Sequence, residues 1–306
     1  MELRHLRYFV AVAEELSFTR AAERLHIGQP PLSQQIQALE AEIGATLLDR
    51  SHRKVRLTSA GSVFLQEAKR VLTMSADAGE HARRAERGEE GELSIGFTRS
   101  VPYAPFFPKL INAYRTNFPE VALRMHEMPT MKQLEAINDR TLDLGFIRPF
   151  GIASGDALEF MPVEDDPLYV AMPSSHSLAI LPVVEMNDLR HEKLVMFPHD
   201  DGTTLHTKIL KLCRDADFDP KVAMEVREAP TIIGLVAASC GVSILPSLFS
   251  VTGIQGVCFR PLANPGTDTN IVLVSRKAEA NQAAIKFRQA ALQLIGSEMH
   301  TAEQPA

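Results

Sequence analysis

The stretch Ser17–Glu42, SFTRAAERLHIGQPPLSQQIQALEAE, predicts two short helices joined by a tight turn. We expect the first helix to run from Thr19, as its N-cap, to Leu25, because its apolar residues repeat with helical period. The turn at residues 26–28 offers Gly28 for a left-handed conformation. This order of elements predicts a helix-turn-helix.

The second predicted helix opens with Pro30 and Pro31, since proline at the first helical position loses no hydrogen bond. Gly44 is its expected C-cap. Its apolar residues fall within about 60° of one another on a helical wheel, so they form a narrow stripe that should be buried. They are Leu32, Ile36, Leu39 and Ile43.

The opposite face of this helix carries amides and a hydroxyl instead of the usual lysine and glutamate. It comprises Gln29, Pro30, Pro31, Ser33, Gln34 and Gln37. Glutamine can pair bidentately with adenine and serine can bond several bases, so this face suits base edges in the major groove. An ordinary polar helix face is the alternative.

Composition limits the class of protein. The chain has 306 residues, of which 45% are hydrophobic, enough for two or three domains with their own cores. We expect no membrane span or signal peptide, because the apolar run at residues 8–13 is short and two glutamates follow it. Three widely spaced cysteines indicate a reducing cytoplasm with buried free thiols, and a redox sensor is the alternative.

Charge is divided unevenly along the chain. Residues 1–90 hold 13 Lys or Arg and 13 Asp or Glu, so the whole formal charge of −6 falls on the remainder. A neutral N-terminal part binds phosphates only weakly without sequence preference. We therefore expect DNA binding by a dimer or higher oligomer in which basic residues are locally concentrated.

The segments flanking the helix-turn-helix support this interpretation. Residues 2–15 repeat apolar side chains with helical period, which predicts an amphipathic helix packed under the motif. Residues 47–58 alternate around a polar tip, which predicts a two-stranded hairpin, or wing. Its basic residues are Arg50, Arg53, Lys54 and Arg56. They favour phosphate or minor-groove contact, and a solvated basic hairpin is the alternative.

A long helix is predicted from its N-cap Thr58 to about Arg87. At roughly 40 Å it is too long to lie buried on a domain of this size. A seam of mostly small residues follows a heptad spacing, which predicts a dimerising linker. The seam comprises Phe64, Ala68, Val71, Ser75, Ala78, Ala82 and Ala85. Gly88 to Gly91 ends the helix and marks a domain boundary.

This succession of a helix, a helix-turn-helix containing QPPLSQQI, a wing ending in LTSAG and a long helix closely resembles the LysR-type transcriptional regulators. Residues 1–33 are further similar to the subgroup that senses muconate, benzoate or chlorinated muconates. The residues that the resemblance implies approach DNA are Gln29, Pro30, Pro31, Ser33 and Arg53. The subgroup commonly has arginine where this chain has Gln34, which removes a phosphate or guanine contact and bears on operator preference.

Residues 92–300 alternate short apolar strands with helices, which predicts an α/β region with largely parallel sheets. The expected strands are Glu92–Thr98, Val121–Glu127, Asp143–Ile147, Pro167–Met172, Lys193–Phe197, Val222–Val226, Val242–Leu245 and Asn270–Ser275. The expected helices lie near residues 104–117, 131–140, 204–216, 231–240 and 279–296. The resemblance implies two subdomains like those of a type 2 periplasmic binding protein, with crossovers near Leu158–Asp166 and Ala263–Thr269.

Three domains are therefore expected: a winged helix-turn-helix at 1–58, a dimerising linker helix at 59–90 and an effector-binding domain at 91–300. Within the last, subdomain I takes residues 91–160 and 269–300, and subdomain II takes residues 161–268.

Ligands of open α/β sheets bind beyond the carboxyl ends of the strands, where helix N-termini favour anions. The candidate residues at such ends are Arg99, Ser100, Thr130, Arg148, Phe197, Pro198 and Thr203. Arginines and hydroxyls there could converge on carboxylates, while the ring and the proline could contact a flat apolar body. The resemblance implies an effector cleft at Ser100, Thr130 and Arg148, whereas Arg99 departs from the small residue often found there. Each of these residues could instead be a surface cap or an ion-pair partner.

Sequence motifs for metal, nucleotide or nucleophilic catalysis are missing, so we expect neither an enzyme nor a cofactor. The best metal-like cluster, His199-Asp200-Asp201 with His206, fits no ordinary metal spacing. A solute-binding receptor or an α/β enzyme using the C-terminal cleft is the alternative function, but it leaves residues 1–87 unexplained.

We therefore expect a cytoplasmic transcriptional regulator, and more specifically an activator. Its expected partners are double-stranded promoter DNA, a small carboxylate effector, further copies of itself in a homodimer and homotetramer, and RNA polymerase.

Overall fold

The computed structural model describes residues 1–50, 55–150, 157–199 and 204–302, with the backbone alone at 297–302. The chain forms two compact units, Met1–Arg84 and Ala85–Ala306. None of the helices in these described ranges is both long enough and apolar enough to cross a membrane.

The first unit is a winged helix-turn-helix that continues into one long helix. Its elements are α1 (Leu3–Glu15), α2 (Phe18–Arg24), α3 (Gln29–Ile43), β1 (Leu48–Asp49), β2 (Arg56–Leu57) and α4 (Ser59–Glu86). β1 and β2 pair antiparallel, as predicted for the wing. The apolar faces of α1 and α3 meet in the core, where Phe9, Leu32, Ile36 and Leu39 are fully buried.

The predicted start of α2 and the predicted burial of Ile43 need correction, whereas Gly44 caps α3 as expected. Ser17, not Thr19, caps α2, because its extended backbone lets the side-chain hydroxyl accept from the Arg20 amide at 3.4 Å. Ile43, the last residue of the predicted buried stripe, is 37% exposed, since α3 ends at Ile43 and Gly44 turns the chain away with φ 75°.

The turn between α2 and α3 also differs from the prediction. His26, not a glycine, adopts the left-handed conformation, with φ 56°. The amides of His26 and Ile27 reach back to the carbonyls of Glu23 and Ala22 at 3.1 and 3.0 Å, which is a Schellman closure of α2. Gly28 has φ −70° and serves as the N-cap of α3.

α4 is the long helix that the sequence predicts, with 28 residues. The Thr58 hydroxyl caps it by accepting from the Gly61 amide at 2.9 Å. Position 61 requires glycine, because a Cβ there would lie 2.0 Å from the Leu47 carbonyl oxygen. The long helix is thus fixed against the strand that opens the wing.

Two residues at the start of the predicted heptad seam are used within the first unit. Phe64 meets Phe9 of α1 edge-on, with ring centroids 5.1 Å apart, and Ala68 is buried in the same core. Farther along, Val71 and Met74 are 41% and 69% exposed. The core of a single chain therefore accounts for the beginning of the seam but not for the apolar surface beyond it.

The second unit consists of sheets covered by helices. Its helices are α5 (Phe106–Asn117), α6 (Thr130–Asn138), α7 (Thr204–Asp215), α8 (Ala229–Ala237) and α9 (Gln282–Ala302). Its strands are β3 (Glu90–Phe97), β4 (Glu120–Glu127), β5 (Leu144–Ile147), β6 (Leu158–Asp165), β7 (Leu168–Pro173), β8 (Lys193–Met196), β9 (Lys221–Glu225), β10 (Ser243–Pro246), β11 (Val257–Pro261) and β12 (Asn270–Arg276).

Three sheets are formed by these strands, and they are mixed where largely parallel pairing was predicted. The first has the order β4-β3-β5-β12-β6, in which β3, β4 and β5 are parallel and β12 is antiparallel to both neighbours. The second, β10-β7-β11, is antiparallel, and β8 with β9 forms a parallel pair. The first sheet is mixed because the chain leaves it after β6, forms the other two sheets, and returns as β12, which runs antiparallel to β5 and β6.

Two of these strands, β6 and β11, were not predicted. The sequence of β6 lies in the segment expected to be a crossover, yet it pairs with β12 over its whole length. It is an edge strand in which half-buried and exposed residues mix, so it lacks the apolar run of a central strand. The crossover itself begins at Asp166, whose amide bonds the Thr269 carbonyl of the returning chain at 2.8 Å.

Candidate functional site

The predicted DNA-reading face of α3 lies on the surface. Gln29, Pro30, Pro31, Gln34 and Gln37 are exposed, and Ser33 is half-buried at the edge of the face. Their side chains project from a helix whose other side is anchored by three fully buried residues. The face is therefore rigidly held and open to a partner.

The wing arginine Arg50 is held inside the first unit. Its guanidinium donates to Glu40 Oε2 at 2.8 Å and lies 5.0 Å from the Phe18 ring centroid. Glu40 Oε1 also accepts the amides of Leu47 and Leu48 at 2.8 and 3.0 Å. Arg50 thus ties α2, α3 and the wing together, an arrangement in which its charge is already compensated.

Two other predicted DNA contacts of the wing, Arg53 and Lys54, lie outside the described residues. Arg56, on β2, is exposed. Glu40 was missed by sequence reasoning, although an acidic residue at the edge of the buried stripe of α3 was the available signal.

A cleft in the second unit collects the carboxyl ends of several strands. It has a volume of about 100 Å³ and is partly open to solvent, and this volume is small beside the several hundred Å³ of ordinary ligand pockets. Its lining comprises Thr98, Arg99, Ser100, Glu127, Met128, Pro129, Thr130, Arg148, Phe197, Thr204, Leu205, Pro246 and Phe249. Strands β3, β4 and β5 contribute one wall, and the segments after β8 and β10 contribute the other. We call this space, the candidate site for an effector, the effector cleft.

Five of the seven predicted ligand residues line the effector cleft: Arg99, Ser100, Thr130, Arg148 and Phe197. Pro198 is buried and is not among the lining residues. Thr203 lies outside the described residues, and its neighbour Thr204 lines the cleft instead. Glu127 was not predicted, although it ends β4 directly before Met128.

Arg148 is fixed by the fold of this unit. Its guanidinium donates to Ser100 Oγ at 2.7 and 3.1 Å, to Thr269 Oγ1 at 2.9 Å, and to the carboxylate of the fully buried Asp166. Its backbone amide bonds Thr130 Oγ1 at 3.2 Å. Burial lowers the pKa of Arg148, and the neighbouring Asp166 carboxylate opposes that shift.

Arg99 lies in a more exposed ion pair at the cleft. Its Nε is 3.3 Å from Glu127 Oε1, and its guanidinium carbon is 6.0 Å from the Phe197 ring centroid. The hydroxyl of Thr98 beside it is buried and has no hydrogen-bond partner among the described residues. The cleft therefore combines charged groups, hydroxyls and the apolar surface of Phe197 and Phe249.

In the cluster whose sequence spacing fits no ordinary metal site, two histidines form a pair. His199 Nδ1 and His206 Nδ1 are 3.3 Å apart, and His206 Nε2 lies 3.8 Å from Glu225 Oε1. Burial, together with His199, lowers the pKa of His206, while Glu225 raises it. Asp200 and Asp201 fall outside the described residues. Within the described ranges, three or more His, Cys, Asp or Glu side chains nowhere gather in a metal-binding group.

Two family models together match most of the chain. Residues 3–62 match the model described as bacterial regulatory helix-turn-helix protein, lysR family. Residues 86–295 match the LysR substrate binding domain.

Similar proteins extend over nearly the whole chain. The uncharacterized HTH-type transcriptional regulator YnfL of Escherichia coli (strain K12) is 45% identical over 289 residues, covering 94% of this chain and 97% of YnfL. The probable cat1 operon transcriptional activator of Acinetobacter lwoffii is 37% identical over 310 residues, covering 100% of this chain and 98% of that protein. Full-length CbnR, crystallised with its target DNA, has a TM-score of 0.78 at 30% identity and covers 96% of this chain and 100% of CbnR.

These matches settle the general function. The winged helix-turn-helix is a DNA-binding domain and the α/β unit is an effector-binding domain, so the chain is a regulator and not an enzyme or a transport receptor. The chain belongs to the LysR family of DNA-binding transcriptional regulators.

Proposed function

We propose that this regulator activates an operon for the metabolism of a small organic acid, with metabolites of aromatic degradation as one class, and that it acts in the cytoplasm. The observation that carries the proposal is that the partly exposed guanidinium of Arg99, several hydroxyls and a phenylalanine line one small cleft. Arginine and hydroxyl donors suit a carboxylate, and the ring suits an apolar body. The similarity to a protein named as a probable activator supports the sign of regulation.

The proposed DNA contacts come from α3 and the wing. Two winged helices of a dimer read a dyad-symmetric site, with α3 in the major groove and basic wing residues on phosphates or in the minor groove. We assign base contacts to Gln29, Ser33, Gln34 and Gln37, whose amides and hydroxyl lie on the open face of α3.

Gel-shift titration on the DNA upstream of the gene tests this assignment. The double variant Gln29→Ala, Ser33→Ala should lose about 1–3 kcal/mol of binding free energy. Gln66→Ala, an exposed glutamine on α4, is the matched control and should bind like wild type. Unchanged affinity of the double variant would remove both residues from the readout.

We further propose that residues 59–90 form a dimerising linker between a DNA-binding domain at 1–58 and an effector domain at 91–300. The exposed Val71 and Met74 support it, because apolar side chains at helical spacing favour a helical partner. Two dimers assemble into a tetramer that bends the promoter and contacts RNA polymerase. Met74→Asp should shift the sedimenting species to smaller mass, and an unchanged mass would contradict the linker assignment.

Effector binding changes how the two subdomains of the effector domain are arranged, and so changes the distance between the DNA-binding domains of the oligomer. This coupling requires that the ligand bind the two arrangements with different affinity. Calorimetry with benzoate, cis,cis-muconate and related acids tests the cleft. Thr130→Ala should weaken whichever acid binds, while Thr116→Ala, exposed on α5, should not. If both variants bind like wild type, the cleft assignment is wrong.

A further inference from the structure

Both arginines of the effector cleft are already paired with carboxylates. Arg148 forms a buried pair with Asp166, whose other oxygen accepts from Ser247 Oγ at 2.8 Å and from the Leu248 amide at 2.9 Å. Separating such a pair would leave an uncompensated buried charge. The charge of Arg148 therefore belongs to the fold and is not available to a ligand.

The second pair, Arg99 with Glu127, is open to exchange. The side chains are 29% and 52% exposed, and the nitrogen–oxygen distance is 3.3 Å. Exposed ion pairs contribute little to stability. A ligand carboxylate can therefore compete with Glu127 for the Arg99 guanidinium. The displaced Glu127 carboxylate then stays close to the ligand carboxylate and repels it.

The charges of the cleft consequently balance. Among the described residues that line it, the cations are Arg99 and Arg148, and these face the carboxylates of Glu127 and Asp166. The remaining polar groups of the lining are neutral hydroxyls, including the unpartnered Thr98 Oγ1. Hydroxyls can hydrogen-bond a carboxylate but cannot neutralise its charge. One bound carboxylate is therefore tolerated more readily than two, since each added anion costs further desolvation and further charge repulsion.

Size confines any second carboxylate to the same neighbourhood. The cleft has a volume of about 100 Å³ and is partly open to solvent, so a dicarboxylate that enters it whole would place its second carboxylate near Glu127 or against apolar surface. The apolar part of the lining includes Leu205, Pro246 and Phe249.

We infer that the cleft selects a small monocarboxylate and that Glu127 is the specificity-determining residue that rejects dicarboxylates. This inference rests on the proposed small-acid effector. Glu127 acts by holding the charge of Arg99 and by repelling a second anion.

Calorimetry on the full-length protein at neutral pH tests the inference with two matched probe pairs, benzoate with terephthalate and propionate with succinate. Wild type should bind the monocarboxylate of a pair about tenfold more tightly than its dicarboxylate, because the second carboxylate is repelled by the nearby Glu127 carboxylate. Glu127→Gln should improve the affinity for the dicarboxylate by about tenfold more than the affinity for the monocarboxylate, and so remove most of the preference. Glu120→Gln removes the same charge at the far end of β4, roughly 23 Å away, and should keep the wild-type preference.

The outcomes separate this inference from the proposed effector class. Equal binding of both members of a pair by wild type overturns the inference alone, as does an unchanged preference in Glu127→Gln. If wild type binds neither member of either pair, the small-acid effector fails and the inference fails with it. A preference that Glu127→Gln removes and Glu120→Gln keeps supports both.

Discussion

Replacing Asp166 with asparagine should destabilise the second unit by about 3–5 kcal/mol, the usual cost of leaving one partner of a buried ion pair alone. Asp166 is fully buried, and its carboxylate pairs with Arg148 and accepts from Ser247 and Leu248. Asparagine keeps the size and one acceptor oxygen but removes the charge. The loss therefore falls mainly on Arg148, whose guanidinium stays buried without a counter-ion.

Urea unfolding followed by tyrosine fluorescence measures this effect. The chain has no tryptophan, and three of its four tyrosines, Tyr103, Tyr114 and Tyr169, lie in the second unit. The signal thus reports mainly on the unit that contains the pair.

A double-mutant cycle separates the ion pair from other losses. Arg148→Met removes the stranded cation, so the double variant should be more stable than the sum of the single losses predicts, by about 2 kcal/mol. Strictly additive losses, or a loss below about 1 kcal/mol for Asp166→Asn, which is typical of exposed pairs, would refute the reasoning.

Three further predictions concern other buried groups. Glu40→Gln should lower the thermal stability of the first unit by about 1–3 kcal/mol, because the Glu40 carboxylate accepts two amides and pairs with Arg50; the exposed Glu23→Gln should not, and equal losses would contradict the wing anchor. The fold lowers the pKa of His206, so the neutral ring should add to the free energy of unfolding above about pH 6.5, and this addition should be lost as pH falls through the lowered pKa. His206→Gln should therefore make the free energy of unfolding, measured in urea, depend less on pH. An unchanged dependence on pH would show that His206 is not its source. Burial raises the pKa of the Cys213 thiol to about 11, so iodoacetamide should label it only after unfolding, and mass spectrometry that finds it labelled as fast as Cys240 in the native protein would contradict its burial.

The first unit could be predicted well because its signals are local. Proline at the start of α3, Gly44 at its end and the helical period of Leu32, Ile36 and Leu39 together define the helix. The left-handed His26 could not be predicted, since the Schellman closure depends on backbone hydrogen bonds and not on residue type. Phe64 was assigned to a dimer seam because period alone does not tell which neighbour a helix face meets.

In the second unit the sequence predicts where strands end better than it predicts which strands pair and which side chains form ion pairs. Arg99, Ser100, Thr130, Arg148 and Phe197 were expected near a ligand from their places after strands, and they line one cleft.

The charge partners of that cleft could not be predicted. Asp166 lies 18 residues from Arg148 in the sequence, and Glu127 lies 28 residues from Arg99. Only the pairing of the sheets brings them together. The edge strand β6 was missed for the related reason that its partner, β12, comes more than 100 residues later.

Footprinting of the DNA upstream of the gene with the purified full-length protein tests the central claim most directly. We expect protection of two half-sites related by dyad symmetry and spaced by whole turns of the double helix, because two winged helices of one assembly read successive major grooves. Uniform protection without sequence preference would contradict specific regulation through α3.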